Sequence, residues 1–336
     1  MMQLSLAWLF VAWAWLVPIR LAAQEPQKMV VPFSPIGGST VPFWIATDER
    51  LFQKYGLEVT PLFVGGSSAI VQSMAAKQFD IGLIGGGGVV LNRFAGGDLI
   101  TIGAHGGVLS SDCFAKPEIK TIADLKGKTI AVTRFGTTTH FSALAMLRLA
   151  NMRPSDVTFI QAGGVAESLA ALMSKKVDCA ILGYPSSQFA LQGGFKQLTA
   201  LGKTEYGLFP NVAIGTRESW LKTPRNRELA VNFLRAFSEG LALAKKDAGL
   251  SKKVMRKYAR LNDDGVLQAS FEFFKDQFPQ TLRVDERGYA NLLRYLARPP
   301  QGSDGGPERI LRQQLDRRSP ALTALHPRVY PAVRLG

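Results

Sequence analysis

The stretch Gly65-Gly66-Ser67-Ser68, followed by the helical spacing Ile70, Val71, Met74, Ala75, then Lys77, then Asp80-Ile81-Gly82-Leu83-Ile84-Gly85, is echoed once more in this sequence. At a spacing of 98 residues, Gly163-Gly164-Val165-Ala166 opens a pattern with Leu169, Leu172 and Met173, passes Lys175 and runs into Asp178-Cys179-Ala180-Ile181-Leu182-Gly183. Both glycines, the Lys, the Asp and the closing Gly fall in register. Upstream, at a spacing of 99, Gly37-Gly38-Ser39-Thr40 follows the strand-like Met29 to Phe33, and Gly136-Thr137-Thr138-Thr139 follows the strand-like Lys128 to Thr133. A strand, a Gly-hydroxyl turn and a helix are thus built twice, which predicts an α/β chain of two similar lobes, each a mostly parallel sheet with helices on both faces.

Outward from this echo the chain divides by composition. Residues 28–107 form the first part of lobe one, and 108–220 form lobe two with its connectors. The long helical patterns of 221–298 lack strands of their own and are expected to return and cover lobe one. Residues 299–336, rich in Pro, Gly and Arg, read as a loosely held basic tail. At the other end, Leu4 to Val17 is a predominantly apolar run of 14 residues ahead of Pro18, Arg20 and Ala22-Ala23. A membrane span needs about 20 apolar residues. The run is therefore read, with residues 1–23, as a secretory signal cleaved near Ala23, against the alternatives of a buried N-terminal helix or a short anchor, and with no Cys before Cys113 no lipid attachment is expected at the cleavage point.

In open parallel sheets ligands bind beyond the carboxyl ends of the strands, where helix N-termini point free amides into a crevice. Here those points carry Ser39 and Thr40, Ser67 and Ser68, and Thr137, Thr138 and Thr139. One hydroxyl suffices to cap a helix; pairs and triplets after glycine also suit an anionic or carbonyl oxygen. For Ser39, Thr40, Ser67 and Ser68 both roles stay open, while the Thr triplet is expected to touch ligand. The run Gly85-Gly86-Gly87-Gly88 either lets backbone come close to a bound molecule, with Gly86 taken as a contact, or is a flexible turn, and no nucleotide-phosphate pattern accompanies it. Gly183-Tyr184 places a ring at the matching point of lobe two. Phe43, Trp44 and Phe135 are candidate apolar walls, although each taken alone is more often a core residue than a ligand contact. His140 is either a ligand donor or base, or a histidine packed at a helix start. Asp80 and Asp178 open strands far from the carboxyl ends and read as structural.

The 336 residues carry 40 Lys and Arg against 26 Asp and Glu, a formal charge of +14, but only three His and two Cys. That excludes a Cys/His zinc module and leaves a nucleophile-base arrangement without partners. No cofactor is expected. Cys113 and Cys179 lie far apart with no pattern around them, which favours two buried free thiols over a disulfide. The basic residues are scattered without a basic helix or aromatic-basic stripe, so no nucleic-acid partner is expected and the charge reads as a solvated surface.

Pro42 to Ala46, Leu51 to Val59, Asp80-Ile81-Gly82, Gly96 to Leu99, Ala123 to Val132 and Arg134 to His140 together resemble the periplasmic solute-binding proteins of nitrate/sulfonate/taurine-type ABC importers. The superfamily also includes hydroxymethylpyrimidine-precursor binding and synthase-like proteins. The resemblance spans residues 28–297 and implies the type 2 periplasmic-binding fold and a monomer. Such a protein closes on a small organic solute, a sulfonate, carboxylate or pyrimidine, and presents it to the membrane permease of the importer. It places the ligand-contacting turns at Ser39-Thr40, Gly66-Ser67-Ser68, Thr137-Thr138-Thr139 and Gly183-Tyr184. A synthase-like enzyme with His140 as base, and a ligand-sensing subunit of a non-ABC system, are the alternatives. The enzyme branch carries a Cys-rich motif that two scattered cysteines do not reproduce.

Overall fold

A computed structural model describes residues 25–34 and 36–297; the expected signal segment and basic tail lie outside the described residues. The first half runs β1 (Gln27–Phe33), α1 (Val41–Asp48), α2 (Leu51–Lys54), β2 (Leu57–Phe63), α3 (Ser67–Ala75), β3 (Ile81–Ile84), α4 (Gly86–Phe94), β4 (Leu99–Val108) and β5 (Ser111–Ala115). It continues with β6 (Thr129–Val132), α5 (Thr138–Leu149), β7 (Thr158–Gln161), α6 (Val165–Met173), β8 (Cys179–Gly183), α7 (Ser186–Gln192), β9 (Lys196–Gln197) and β10 (Leu208–Arg217). Four helices end the described chain: α8 (Pro224–Lys246), α9 (Ala248–Ala259), α10 (Asp264–Gln277) and α11 (Glu286–Ala297).

The strands form two five-stranded sheets, β2-β1-β3-β10-β4 and β7-β6-β8-β5-β9. In each, four strands run in one direction and one, β10 or β5, runs against them between two neighbours. Each antiparallel strand comes from outside its own repeat: β5 follows directly on lobe one and enters lobe two, and β10 follows lobe two and returns to lobe one. Residues 208–217 therefore leave the 108–220 unit in which the sequence placed them. Buried Val212, Ala213 and Ile214 fill the gap between β3 and β4.

The repeated Asp and Lys now have physical roles. Lys77 and Lys175 take φ of 63° and 59°, the left-handed turn that ends α3 and α6. Asp80 accepts from Arg217 at 2.6 Å, and Arg217, only 5% exposed, also donates to the carbonyls of Met74 and Phe79. Asp178 accepts from Lys116 at 2.8 Å and from the Thr129 amide and hydroxyl. Burial alone would raise the Asp178 carboxyl; Lys116 and the Thr129 donors outweigh it and hold it at about 2. In both lobes the cation stands at the far end of the antiparallel strand, so the duplication extends to a pair of residues that the sequence echo does not register.

Helices α8, α9 and α10 close over lobe one, sharing a core with Phe43, Trp44 and Phe52. The last helix, α11, returns to lobe one only in part: Tyr289 hydrogen-bonds through its hydroxyl to Thr101 of β4 and packs on Phe209 of β10, while Leu292 and Leu293 join a cluster with Leu109 and Phe141 that belongs mainly to lobe two. The crossing of α1 on α8 depends on Gly240, where a Cβ would stand 2.4 Å from the Pro42 carbonyl oxygen and 2.9 Å from the Ala46 Cβ. Helix propensity favours Gly240→Ala by about 1 kcal/mol, while forcing a methyl into a closed contact costs about 1–3 kcal/mol and more against backbone. The clash wins: the variant is expected to lose about 2 kcal/mol, read as a lower urea midpoint. An unchanged or higher midpoint would show that α1 and α8 lie further apart than described.

The two cysteines form a disulfide, with Cα atoms 6.2 Å apart and both residues fully buried. This corrects the expectation of two free thiols. Pairing of β5 with β8 sets Cys113 opposite Ile181 and Ala115 opposite Cys179, so the cysteines are diagonal neighbours on adjacent strands, a placement that sequence spacing does not reveal.

Candidate functional site

The carboxyl ends of both sheets face one cleft of about 730 Å³. From lobe one it is lined by Ser34 after β1, Ser39 in the 3-10 turn Gly38–Thr40, Ser67 at the start of α3 and Gly85 after β3. Lobe two contributes Thr133, Thr137, Thr138 and Thr139 around the start of α5, residues 164–167 at the start of α6, and Gly183 to Ser186. Ser110, Ser111 and Asn211 stand where the chain crosses between lobes, and Tyr258 and Phe274 reach in from α9 and α10. A separate hollow of about 520 Å³, beside Phe209, Pro210, residues 279–281 and 283–289, takes in the start of α11 but none of the starts of α3 to α6.

The helices that begin at this cleft are uncapped. The residues before α3, α4, α5 and α6 are Gly66, Gly85, Thr137 and Gly164, and none gives a side-chain hydrogen bond to its helix. Away from the cleft, α8, α9 and α10 are capped by Thr223, Asp247 and Asp263. First-turn amides are therefore left for something other than the protein's own side chains, and they carry the positive end of each helix dipole. The Thr triplet does not cap α5. Instead Thr137 Oγ1 donates to the Arg134 carbonyl at 2.7 Å, and the hydroxyls of Thr133, Thr137 and Thr139 lie within 3.1 Å of one another. Thr138 Oγ1 instead donates to the Asn211 carbonyl at 3.3 Å, between lobes.

The lobes are in contact. Arg134 Nε donates to the Gly65 carbonyl at 2.8 Å, and its side chain lies where a Cβ on Gly66 would be. Tyr184 stacks on Phe273 of α10, ring centroids 5.0 Å apart and planes 14° from parallel, and meets Phe274 edge-on. Burial raises the Tyr184 phenol above its ordinary value, so it stays neutral and a hydrogen-bond donor at neutral pH.

Several expected contacts are not at the cleft. Trp44 is fully buried, its indole N–H without a partner, and the ring that reaches the cleft is Tyr258, stacked on it at 5.2 Å. Phe43 belongs to the same core. Thr40 is buried, Ser68 stands outside the lining, and Gly66 lies beneath Arg134. Gly86 is packed, not exposed to ligand: a Cβ there would be 2.5 Å from Pro210, as one on Gly87 would be 2.2 Å from Phe141 and one on Gly88 2.8 Å from Val71. The glycine run is thus the start of α4 squeezed between β10, α5 and α3, with Gly85 alone facing the cleft. Phe135 is exposed and outside the lining. His140 points into Phe135, Phe141 and Phe159, its Nδ1 accepting from the Gly136 amide at 3.2 Å, and burial lowers it to about 4.

The histidine that sequence reasoning overlooked is His105 on β4. It is 2% exposed, and its Nε2 is 2.9 Å from the carbonyl oxygen of Ser39, which fixes the tautomer with the proton on Nε2 and holds the first hydroxyl turn in place. Tyr258 and Phe274 were likewise missed, because nothing in a helical pattern tells which of its residues will overhang a cleft built by other elements.

Residues 39–248 match the protein family described as NMT1/THI5 like. The chain belongs to this family. A Brachyspira hyodysenteriae protein named as an ABC transporter periplasmic binding protein is 22% identical over 256 residues, 71% of each chain. Among solved structures, the alkanesulfonate-binding protein SsuA from Xanthomonas axonopodis pv. citri, bound to MOPS, superposes with a TM-score of 0.68 at 18% identity, covering 81% of this chain and 92% of that one. The periplasmic nitrate-binding protein NrtA from Synechocystis gives a TM-score of 0.70 at 14% identity, covering 91% and 90%. At these identities the two structures establish the shared periplasmic-binding fold. No group of three or more metal-ligating side chains occurs among the described residues.

Proposed function

We propose that this member of the NMT1/THI5-like family is the solute-binding component of an ABC-type importer, that it works in the periplasm, and that it captures a small organic solute between its lobes. The observation that carries this reading is the set of uncapped helix starts and clustered hydroxyls that face one another across the cleft from two separate lobes. The crossings between β4 and β5 and before β10 would be the hinges. A ligand touching both lobes stabilises the closed arrangement that Arg134, Thr138 and Tyr184 already bridge. The enzyme alternative loses its base, since His140 lies outside the cleft lining. Presentation to a permease, a monomeric state and the lack of a nucleic-acid partner belong to the same proposal. So does removal of residues 1–23, for which the expected result is a periplasmic product whose N-terminal residue is Gln24.

The test is a thermal-shift screen with carboxylates, sulfonates, nitrate and pyrimidines, in which a ligand at 100 times its Kd stabilises by about 2.7 kcal/mol. The variant Thr137→Ala/Thr138→Ala/Thr139→Ala is expected to weaken the best acid by tenfold or more, since hydrogen bonds to charged groups contribute about 1.5–3 kcal/mol. Full affinity in that variant would move the oxygen-binding site away from α5.

A further inference from the structure

We propose that α11 is a strap behind the hinge that holds the two lobes toward one another, and that the hollow between this strap and the hinge strands is the room into which the lobes swing when the cleft opens. The proposal rests on the hinged-lobe reading above and not on the identity of the solute. Three observations carry it.

The first is a further crossing. Besides the passages from β4 to β5 and from residues 201–207 into β10, the described chain passes from lobe one to lobe two once more, through residues 279–289. Its near end is fixed to lobe one. The Leu282 carbonyl accepts from the Ala104 amide at 2.9 Å, the Leu282 side chain is buried in the core of lobe one, and the Tyr289 hydroxyl bonds to Thr101 of β4. Its far end is fixed to lobe two. Asn291 Nδ2 donates to the carbonyls of Glu205 at 2.8 Å and Leu208 at 3.1 Å, and Leu292 and Leu293 pack with Leu109 and Phe141. An element bound to both lobes while they touch must give up one set of partners when they rotate apart, so its bonds favour closure.

The second observation is the side on which the strap lies. Gly85 lines the cleft, and a Cβ there would be 3.7 Å from the Asn211 carbonyl oxygen. Gly86, next in the chain, faces away from it: a Cβ there would be 2.5 Å from Pro210 and 2.7 Å from the Tyr289 hydroxyl. Pro210 and Tyr289 line the hollow of about 520 Å³, which shares no lining residue with the cleft. Cleft and hollow thus flank the crossing strands, and a rotation that widens one narrows the other.

The third is the room itself. A close-packed rear would pin the hinge, because packed interiors do not compress. Here a Cβ on Gly107 of β4, which lines the hollow, would meet nothing within 4 Å, and the backbone there is not in the left-handed region. A side chain at this position therefore enters the hollow without a clash while the lobes touch, and obstructs it when they swing apart.

The experiment measures lobe separation with spin labels at Gln78→Cys and Lys176→Cys, exposed positions 98 residues apart just past the ends of α3 and α6, in the purified chain freed of solute by unfolding and refolding. Tyr289→Phe/Asn291→Ala, which loosens both ends of the strap, is expected to lower the ratio of short to long distances about fivefold or more, since one net hydrogen bond corresponds to about fivefold. Gly107→Phe is expected to raise the ratio about tenfold, the cost of overfilling the rear when the lobes open. Arg134→Ala, which removes the frontal bond to Gly65, is the reference and should lower the ratio. If it does so while neither rear variant moves the ratio, or if the rear variants change only the thermal midpoint, α11 is packing alone and the strap is overturned. Longer distances in Gly107→Phe would overturn it as well. One unchanged distance in the parent and all three variants would remove the hinged lobes and the strap together.

Discussion

Cys113→Ala/Cys179→Ala is expected to lower the folding stability by about 4 kcal/mol, the chain-entropy value for a cross-link closing a loop of this length. The separation is 66 residues, and the bond ties β5, the strand that has just crossed from lobe one, to β8 in the middle of the second sheet. With the bond present, the unfolded chain cannot separate these strands; with alanines it can, and the gain in unfolded-state freedom is the loss in stability. Alanine at two fully buried positions also leaves small voids, which acts in the same direction. The measurement is the urea midpoint of the variant beside that of the parent, together with a thiol titration of the parent in denaturant, which should find no free thiol until a reductant is added. Two titratable thiols in the unreduced parent, or equal midpoints, would remove the bond from the account.

Acidification from pH 7 to pH 4 is expected to cost a further 3 kcal/mol or so through His105 alone. The imidazole is lowered from 6.5 to about 4 because it is wholly buried, its bond to the Ser39 carbonyl offsetting only part of the burial. Its Nδ1 has no partner, so a proton placed there would be a buried charge with nothing to accept it. The sign follows from which state takes the proton. Above pH 6.5 neither state is protonated at this ring; between 6.5 and 4 the unfolded chain binds the proton and the folded one does not, so stability falls as pH falls. His140, also lowered to about 4 by burial, adds in the same window. Asp112, raised by burial, works against them. His105→Gln keeps a donor for Ser39 without a titrating ring, and its loss between pH 7 and pH 4 should be smaller than the parent's by about 3 kcal/mol. Parallel pH curves for the two proteins would refute the assignment.

How far the sequence reaches can be argued from these same residues. The two lobes and the positions of their hydroxyl turns were legible because glycine and small hydroxyl residues at strand ends are local chemistry, repeated in register. The role of Asp80 and Asp178 was legible in kind, but their partners Arg217 and Lys116 were not, since both arrive from strands of distant origin. The stretch Leu208–Arg217 reads as a strand, yet nothing in it says that its neighbours will be β3 and β4. The cysteines needed strand register, which spacing does not supply. Of the residues named from sequence, Ser39, Ser67, the Thr triplet and Tyr184 line the cleft, while Trp44 does not. Trp44 at a helix start was expected at the cleft; burial against α8 and α9 claimed it, and Tyr258 stands in its place. A four-glycine run invites a reading of openness, and here the same lack of side chains serves the opposite end, close packing of α4.

The exchange of β5 and β10 has a consequence for synthesis. The sheet of lobe two is made from residues 111–197 and can be completed as soon as they exist. The sheet of lobe one lacks its fourth strand until Arg217 has been made, and its hydrophobic face stays uncovered until α8 and α9 follow. The half encoded first is therefore the half that becomes a finished body last, and whatever accompanies the nascent polypeptide must shield strands β1 to β4 for more than a hundred residues of further elongation.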